Sequence, residues 1–413
     1  MTHTKRGRTD KTPFGPVRSP RLAAMSGRDL FCQPRRFGRG AALTLVFASV
    51  LVAGAATGSL PGDADGPGET GSSRPAAAPG SRHDAVARAA AEAMAEGKSP
   101  TEAAERAVSR SGDRWGAVYS PGEYEEFEDA LDGRYTGVGL WARRERDGRI
   151  EVTKVQGGSP AAAAGIRTGD RLRSIDGRAV DGLPVTEVVS LLRGDTTGEA
   201  AGTTVTLGLE RGTRAWRETL RRARLSTDSV TVQRLAGGVT VIRIAAFTKG
   251  VGDTVRTAVH RAPAGEGIVL DLRGNSGGLV TEAVTSASAF LDGGLVATYD
   301  VDGEQRALHA EGGGDTARPL VAVVDGGTMS AAELLTGALK DRGRAVVVGS
   351  RTFGKGSVQM PSRLPDGSVA ELTVGHYRTP SGRTVDGQGI APDLEADHDV
   401  LHRAETVLGG LGE

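Results

Sequence analysis

Two short segments of the sequence carry side chains that could act together as a nucleophile and its base. Ser330 opens the run SAAELL, and Lys355, 25 residues later, lies between two glycines in GSRTFGKGS. A serine hydroxyl attacks an acyl carbon readily only when a neighbouring group accepts its proton. A neutral lysine amine can accept that proton, and Ser-Lys pairs are a recognised variant of the Ser-His-Asp triad. These residue types therefore indicate acyl-transfer chemistry, provided that the fold brings the two side chains together.

Ser330 also has a purely structural interpretation, as the cap of a helix. Ser330 and Glu333 have the spacing of a capping box ahead of an apolar run. The two roles are compatible, because a serine at a helix start lies on a sharp turn where the positive end of the helix dipole can stabilise a developing oxyanion. The nearest alternative base is His376, in ELTVGHYRT, which we expect to be a packed strand residue instead.

Lys355 also completes a pattern close to a phosphate-binding loop. Such a loop needs Ser or Thr directly after the lysine to bind Mg²⁺, and a helix that begins there. Gly356 occupies the hydroxyl position, and Pro361 and Pro365 follow within ten residues. Two prolines and the turn signal PDG predict a short strand and a hairpin instead of a helix. We therefore do not expect a nucleotide-binding site.

Lys355 can act as a base only if its surroundings favour the neutral amine. An unperturbed lysine titrates near pH 10.4, so a base that acts at about pH 7–8 needs a pKa lowered by about 3, which burial can achieve. The apolar run 346–348 and Phe353 would provide dry surroundings. Gln359 should face the same side of the predicted strand as Lys355. Its carbonyl could then orient the amine.

A glycine-rich turn and a series of alternating elements should surround these two residues. The segment IVLDLRGNSGG reads as a buried strand that ends in a turn before a helix near Leu279. A turn of this kind exposes backbone N–H groups, which are the donors of an oxyanion hole. Across 226–396, apolar strand segments such as GIVLDLRG, PLVAVVDG and RAVVVGS alternate with helical ones. That alternation predicts an α/β core.

Residues 134–213 form a different pattern, of short strands and turns. The run YTGVGL starts a strand, RIEVTKVQ reads as another strand, GDRLRSIDG as a hairpin and VTEVVSLL as a helix. This stretch resembles a PDZ domain along its length. The resemblance implies that Gly137, Val138, Gly139 and Leu140 form the loop that binds a C-terminal carboxylate. Arg134, three residues earlier, could add a charge-assisted contact or could equally be a solvated surface arginine. Glycines allow successive backbone N–H groups to converge on an anion, and the bound peptide would pair as an added strand.

The charge of the chain is balanced overall but unevenly distributed. The 413 residues include 51 Lys plus Arg and 51 Asp plus Glu, and residues 1–55 hold ten of the basic and two of the acidic ones. The remainder is acidic, with 41 basic against 49 acidic residues. An acidic main body argues against nucleic acid as the partner.

An apolar stretch at 41–58 follows the basic region 1–40, and either Met1 or Met25 could be the start. A basic flank, an apolar run and the small residues AGA fit a signal peptide, and the length is also near the lower limit for a membrane anchor. Both interpretations stay open, and both predict an extracytoplasmic main body. We expect 59–82, rich in Gly, Pro and Ser, to be a flexible linker and 83–133 to be helical.

Neither thiol chemistry nor a metal centre is indicated. Cys32 is the only cysteine and precedes the apolar stretch, so the exported part would contain none. The seven histidines are scattered, and no His, Cys, Asp and Glu cluster has zinc spacing. We expect a protein without a cofactor.

Taken in order, the motifs resemble the C-terminal processing peptidases, also called tail-specific proteases. After the PDZ-like run come DLRGNSGG, TMSAAELLTGALKD, GSRTFGKGSVQ, YRTPSGR and GQGIAPD, and the similarity extends over about 85–395. The resemblance implies a serine endopeptidase with a Ser-Lys dyad, a supporting glutamine and a PDZ domain that controls access. Many members have a second serine where this chain has Ala332, but that difference lies after the nucleophile.

Carried over to this sequence, the resemblance assigns a role to each candidate residue. Ser330 is the nucleophile, Lys355 the general base and Gln359 its positioning residue. The implied oxyanion donors are Gly277, Gly278 and Ala331.

We therefore expect an α/β (α+β) multidomain protein. Its parts are the helical segment at 83–133, the PDZ domain at 134–213 and an α/β Ser-Lys peptidase core at 226–396. Its expected substrates are proteins or peptides selected by their C-terminal tails, with membrane contact possible through 41–58. The competing interpretation is a non-catalytic PDZ adaptor on a protease-like scaffold, against which the intact dyad argues.

Overall fold

The computed structural model describes Met1 and residues 82–145, 147–194, 201–301 and 304–411. The predicted signal peptide or anchor at 41–58, the rest of the basic region 1–40 and residues 59–81 of the predicted linker lie outside the described residues. All elements below belong to one compact unit within 37–413. Among the described helices, none combines the length and the apolar character needed to cross a bilayer.

The segment before the PDZ-like run is mainly helical, as predicted. Its elements are α1 (Arg82–Ala95), α2 (Pro100–Ser111), β1 (Ala117–Tyr119) and α3 (Pro121–Leu131). Ser99 and Ser120 accept backbone hydrogen bonds as N-caps, and a proline follows each of them at the first helical position. The short strand β1 was not predicted. It carries the chain across the catalytic domain.

The PDZ-like run folds as an antiparallel sheet with two short helices. Its elements are β2 (Arg134–Gly137), β3 (Leu140–Arg144), β4 (Ile150–Val155), α4 (Pro160–Ala163), β5 (Arg171–Ile175), β6 (Arg178–Ala179), α5 (Val185–Arg193), β7 (Thr204–Arg211), β8 (Arg214–Arg221) and β9 (Ala223–Ser226). The sheet order is β3-β4-β5-β7-β8, with β6 on β5. Strands β2 and β9 pair with each other, so the chain enters and leaves the domain side by side.

One sequence-based boundary in this domain needs correction. The predicted end at Thr213 falls inside the β7–β8 hairpin, because Gly212 with φ 59° makes a tight turn and not an exit from the sheet. The run YTGVGL was predicted to start a strand, and it contains the end of one strand and the start of the next. Strand β2 ends at Gly137, Gly139 has φ 78°, and β3 starts in the other sheet at Leu140.

The remaining chain forms an α/β sheet and a second, antiparallel sheet. The elements are β10 (Val230–Arg234), β11 (Thr240–Ile244), α6 (Val251–Arg261), β12 (Ile268–Asp271), α7 (Val280–Ser288), β13 (Leu295–Val301), β14 (Glu304–His309), β15 (Leu320–Val324), α8 (Ala331–Asp341), β16 (Val346–Gly349), β17 (Ser357–Arg363), β18 (Val369–Arg378), β19 (Leu394–Glu395) and α9 (Val400–Leu411).

The α/β sheet has the order β10-β11-β12-β15-β16-β19, and its strands from β11 to β19 run parallel. Alternate side chains of these strands enter two cores, as the two-residue period requires. On one face, Ile242, Leu270 and Ala322 pack in a cluster with residues of α6, α7 and α8. On the other face, Val269 and Val321 pack with α9. The predicted α/β core is confirmed.

The second sheet has the order β1-β18-β13-β14, and β17 pairs with β18. Strand β18 therefore pairs with β17 along one edge and with β1, from the N-terminal segment, along the other edge. Apolar residues of α1 and α2 anchor that segment by packing against the β17–β18 hairpin. They form one buried cluster of Val86, Ala90, Ala104, Val108, Leu364, Ala370 and Leu372.

Candidate active site

Three candidate segments meet because they leave adjacent parallel strands at the same edge. The glycine-rich turn follows β12, the Ser330 turn follows β15, and the Lys355 loop follows β16. These three strands are consecutive neighbours in the sheet. In open α/β sheets, sites form at the carboxyl ends of the strands. No helix follows the Lys355 loop, which leads into β17, so the phosphate-loop pattern lacks its helix, as predicted.

Ser330 lies in a strained turn directly before α8. Its φ of 56° and ψ of −117° are rarely adopted by residues other than glycine, and such a conformation costs about 1–3 kcal/mol. Surrounding hydrogen bonds hold the turn in place. Met329 N donates to Asn275 O over 2.8 Å, and the Tyr377 hydroxyl donates to Ser330 O over 2.9 Å. The turn presents a buried serine at the edge of the sheet.

One buried carboxylate, Glu333, joins the Ser330 turn to the Lys355 loop. Its Oε2 accepts from Ser330 N and from Lys355 N, each over 2.9 Å. Its Oε1 accepts from Gly354 N over 2.7 Å and from the Thr352 hydroxyl. Burial raises the pKa of Glu333, although these hydrogen bonds act in the opposite direction. The capping-box residue of the sequence thus also links the Ser330 turn to the Lys355 loop.

The glycine-rich turn lies against Ser330. A Cβ added to Gly277 would lie 2.9 Å from Ser330 Cβ, and both Gly277 and Gly278 have positive φ. The Gly277 N–H donates to Asn275 Oδ1 over 2.9 Å. Within the described residues, the amides of Gly278 and Ala331 donate to no protein acceptor. Of the three predicted oxyanion donors, these two amides are therefore available in the structure.

Lys355 is buried beneath an aromatic side chain from the N-terminal segment. Its Nζ lies 4.9 Å from the centre of the Trp115 ring, which also packs edge-on against Phe353 at 5.9 Å. Only 1% of Lys355 is exposed. Burial lowers the pKa of Lys355 to about 8, although Glu371, Asp113 and Glu333 raise it through their charges. The flanking glycines are required by close packing, since a Cβ at Gly356 would lie 2.6 Å from Asp386 N.

Gln359 does not make the predicted contact with the lysine amine. Its Nε2 donates to Trp115 O, and its buried Oε1 accepts from no described residue. Because Lys355 precedes β17 and a bulge lies between Val358 and Gln359, the two-residue period of the strand does not by itself fix a contact between the two side chains. In the structure, Gln359 holds the Trp115 backbone, and the ring of that residue covers Lys355.

His376 was expected to be packed but is half exposed on β18. The adjacent Tyr377 points inward to Ser330 O, so alternation along the strand turns His376 outward. Its Nε2 lies 3.9 Å from Asp386 Oδ2.

The loop predicted to bind a carboxylate lines a cavity of about 310 Å³. The carbonyls of Val138 and Gly139 accept from Ala161 N and Gln156 N, each over 2.9 Å, whereas their own amides donate to no described residue. Helix α5 supplies Val189, Leu192 and Arg193 to the same cavity. Its other walls come from α3 and from the catalytic domain, including Ala245 and Ala246.

Two expectations about this loop change with the structure. Arg134 forms ion pairs with Asp129 and Asp132, so its charge is already partnered. The cation that sequence reasoning missed is Arg193, in the last turn of α5, whose guanidinium lies 5.9 Å from the centre of the Tyr135 ring. Gly139 is required by the fold as well as by any ligand, because a Cβ there would lie 2.2 Å from Ser159 Cβ.

Sequence reasoning also missed Trp115, Asn275 and Glu371. Trp115 and Glu371 reach the lysine from positions that no local motif connects with it. The available signal for Asn275 was its position within the motif DLRGNSGG. In the structure it accepts hydrogen bonds from Gly277 N and Met329 N, so it joins the glycine-rich turn to the Ser330 turn. In the part of the chain that the structure describes, no group of three or more His, Cys, Asp or Glu side chains is placed to hold a metal ion.

Comparison with known proteins agrees with this architecture. Residues 238–396 match the family model for peptidase family S41, and residues 151–203 match a PDZ domain model. The chain is 34% identical over 308 residues to carboxyl-terminal-processing peptidase 3, chloroplastic, of Arabidopsis thaliana, which covers 70% of this chain and 58% of the relative. It is 31% identical over 278 residues to carboxy-terminal processing protease CtpA of Bacillus subtilis, which covers 66% of this chain and 58% of the relative.

The solved structures include a similar fold. The photosystem II D1 C-terminal processing protease superposes with a TM-score of 0.50 at 27% identity, over 81% of this chain and 98% of that protein. The chain spans 58% of the length of each of the two curated relatives named above.

Proposed function

The chain belongs to peptidase family S41, in the group of C-terminal processing peptidases with a PDZ domain, and from this premise we propose that it is a serine endopeptidase with a Ser330–Lys355 dyad. The observation that carries the proposal is the bridging carboxylate of Glu333, which bonds to the backbone of both residues. Burial of both side chains adds support, because it provides the dry surroundings that a neutral lysine needs.

In the first half of the reaction, the neutral Lys355 amine takes the proton of the Ser330 hydroxyl while Ser330 Oγ attacks the scissile carbonyl carbon. The carbonyl oxygen becomes an oxyanion, and the amides of Gly278 and Ala331 are the donors that we assign to it. The start of α8 contributes its positive dipole end at the same place. Collapse of the intermediate breaks the C–N bond, and the Lys355 ammonium returns its proton to the leaving amine.

In the second half, water hydrolyses the acyl-enzyme. Lys355 is neutral again after protonating the amine, so it can accept a proton from the attacking water. The same oxyanion donors serve the second tetrahedral intermediate. Its collapse expels Ser330 Oγ, which recovers its proton from Lys355, and a new C-terminal carboxylate leaves.

We further propose that the PDZ domain selects substrates by their C-terminal tails. The amides of Val138 and Gly139 are positioned for a carboxylate, and Leu140, Val189 and Leu192 provide an apolar wall for the last side chain. The cavity also reaches Ala246. The next residue, Phe247, bonds to Gly277 O over 2.8 Å, so a tail in this cavity lies next to the glycine-rich turn. Together with the leader expected at 41–58, this role suits an extracytoplasmic protease.

The proposal can be tested by trapping substrates. Ser330→Ala should bind tails without cleaving them, and sequencing the captured chains would identify their C-termini. The control is a Ser330→Ala protein in which the PDZ binding residues are also replaced. If the C-termini captured by Ser330→Ala show no more sequence preference than those captured by this control, tail selection is contradicted. Cleavage by purified Ser330→Ala would contradict the dyad.

Peptidase activity should rise with pH through a single apparent pKa near 8. Only the neutral amine can act as the base, and burial lowers the pKa of Lys355 to about 8. Activity should therefore be low below this value, where the amine is protonated, and level above it. The measurement is kcat/KM for a short peptide between pH 6 and about 10. A profile that is flat over this range would contradict the assignment of Lys355 as the base.

Amidation of a substrate's C-terminus should weaken its cleavage by about ten- to one-hundred-fold. The amide removes the anion that the Val138 and Gly139 amides are placed to bind, and losing such a charged hydrogen bond costs about 1.5–3 kcal/mol. Matched free-acid and amidated peptides would be compared by kcat/KM. A short peptide that does not reach the PDZ cavity serves as the control and should show no difference. Equal rates for the matched long peptides would contradict tail recognition.

A variant test of the same loop must avoid Gly139. A valine there would clash with Ser159 and adopt a strained φ, so lost activity would report damaged folding. Arg193→Gln is the better variant, because Arg193 lines the cavity near its surface. This variant should narrow the difference in kcat/KM between the free-acid and the amidated peptide.

A further inference from the structure

Glu371 is a buried carboxylate that the proposed mechanism does not use. It is the third residue of β18, and 0% of its surface is exposed. Among the described residues, neither of its carboxylate oxygens has a hydrogen-bond donor. Burying a carboxylate in this way is costly unless a nearby charge stabilises it. The proposed mechanism gives Glu371 no role, so its position needs an explanation.

Strand register places Glu371 beside the residues that surround the lysine. On one side it is paired with Pro361 of β17, and on the other with Ala117 of β1. Directly opposite residues of an antiparallel pair share a face, as do residues two positions apart. Glu371 therefore lies on the face that carries Gln359, which binds Trp115 O, and the Trp115 ring covers Lys355 Nζ. Strand register and these contacts therefore bring the buried carboxylate to the side of the hairpin where the Trp115 ring covers the amine.

The charged and titratable groups around the pair come from several elements. The Lys355 charge, in the loop before β17, lowers the pKa of Glu371. The Glu371 charge in turn raises the pKa values of Tyr119 on β1 and Tyr124 on α3. Asp113 and Glu333 act on Lys355 in addition to Glu371. Burial raises the pKa of Glu371 to about 7, and the Lys355 charge opposes this rise. Of the carboxylates that act on the amine, Glu371 has the largest effect.

We propose that Glu371 is a positioning residue of the dyad, whose buried charge holds Lys355 in its protonated form and so sets the lowest pH at which the enzyme works. This inference rests on the proposed Ser330–Lys355 mechanism. Glu371 touches neither the substrate nor the reacting atoms, and it acts through the lysine amine.

The direction of the effect follows from the order in which the groups lose their protons. With a pKa of about 7, Glu371 is mostly ionised near pH 8, where Lys355, with a pKa of about 8, is half deprotonated. The anion stabilises the ammonium and delays that release. Removing the anion leaves the desolvation of Lys355 uncompensated, so the neutral base should form at lower pH.

The test replaces Glu371 with glutamine and follows the pH dependence of Ser330 acylation. A fluorophosphonate probe labels an activated serine without needing the PDZ domain, so its rate constant reports on the dyad alone. Glu371→Gln should shift the midpoint of the rate–pH profile downward by about one pH unit, which is the usual effect of one close charge. One unit below the wild-type midpoint, labelling relative to the plateau should be about five-fold faster. The plateau itself should be lower, because a less basic amine is a weaker catalyst.

Two comparisons separate this role from a structural one. Glu304→Gln neutralises an exposed carboxylate in the same sheet, on β14, and should leave the profile unchanged. Glu371→Leu removes the charge by another route and should shift the midpoint in the same direction as glutamine. A structural defect would instead lower the rate at every pH without moving the midpoint.

Several outcomes would overturn the inference. An unchanged or raised midpoint in a folded Glu371 variant contradicts it. So does failure of both variants to fold, because a carboxylate without hydrogen bonds should be replaceable. If the wild type is not labelled at any pH, the proposed dyad itself fails. The failure of that mechanism is thus distinguishable from an error about Glu371.

Discussion

Replacing Lys355 with alanine is expected to abolish peptide cleavage while the fold and tail binding are retained. Ser330 has no other base that the site provides, since His376 points outward and Glu333 is occupied with backbone donors. Removal of the base from other serine hydrolases lowers kcat by about four orders of magnitude or more. Lys355→Ala should lower kcat by a comparable factor. The change leaves a cavity and removes the charge that stabilises the buried Glu371 carboxylate, so the unfolding temperature should fall, and kcat is compared for the folded protein.

The experiment compares kcat, fluorophosphonate labelling and peptide binding for a small set of variants. Lys355→Arg should be as inactive as Lys355→Ala, because a guanidinium does not lose its proton in this pH range. Ser330→Ala should be inactive with normal binding. Lys98→Ala removes a lysine that is mostly exposed and should match the wild type. Substantial cleavage by folded Lys355→Ala would falsify the dyad.

The sequence was sufficient to identify the family and the fold class, and it located the three segments that meet at the candidate site. Local patterns carried this information. The Ser330 turn, the glycine-rich turn and the Lys355 loop each follow a buried strand, and parallel neighbouring strands must end at one edge. A site of this kind can be predicted from sequence because its residues lie in turns that directly follow recognisable strands.

The surroundings of the amine could not be predicted in the same way. Trp115 and Glu371 approach Lys355 because β1 pairs with β18, and a three-residue strand gives almost no periodic signal. The pairing joins segments more than 240 residues apart in sequence, such as Trp115 and Gln359. Gln359 shows the related limit, because Lys355 lies before β17 and a bulge precedes Gln359, so the strand period alone could not fix the contact between them.

The PDZ loop shows a third limit. The sequence pattern predicted a carboxylate-binding loop at residues 137–140, and it explained Gly139 only by the approach of a ligand. In the structure, Ser159 already occupies the space of a Gly139 side chain. Packing alone thus requires this glycine, whatever the loop binds, and the sequence pattern could not reveal that requirement.

Replacing Glu333 with glutamine is expected to lower both stability and kcat strongly. The carboxylate accepts four hydrogen bonds, from Ser330 N, Thr352 Oγ1, Gly354 N and Lys355 N. A glutamine side chain keeps one acceptor oxygen and turns an amide donor toward the remaining donors. Buried donors left unsatisfied cost about 1–3 kcal/mol each, so the free energy of unfolding should fall by about 2–5 kcal/mol.

The catalytic loss should exceed what the stability loss explains. Glu333 Oε2 bonds to both Ser330 N and Lys355 N, so its replacement releases the nucleophile and the base from their common anchor. A misplacement of about 1 Å can cost about one-hundred-fold in rate. We therefore expect kcat of the folded fraction to fall by at least this factor, with KM for a long free-acid peptide nearly unchanged.

A matched carboxylate separates anchoring of the dyad from general support of the fold. Glu282 on α7 also accepts two backbone hydrogen bonds, from Gly250 N and Gly252 N, but neither belongs to the dyad segments. Glu282→Gln should lower the free energy of unfolding and leave kcat of the folded enzyme unchanged. Chemical denaturation and single-turnover labelling of both variants would measure the two quantities. If Glu333→Gln loses stability but labels Ser330 at the wild-type rate, Glu333 supports the fold without positioning the dyad. In that case the bond from one carboxylate to both segments would have no catalytic consequence, and the positions of Ser330 and Lys355 would depend on the strand ends alone.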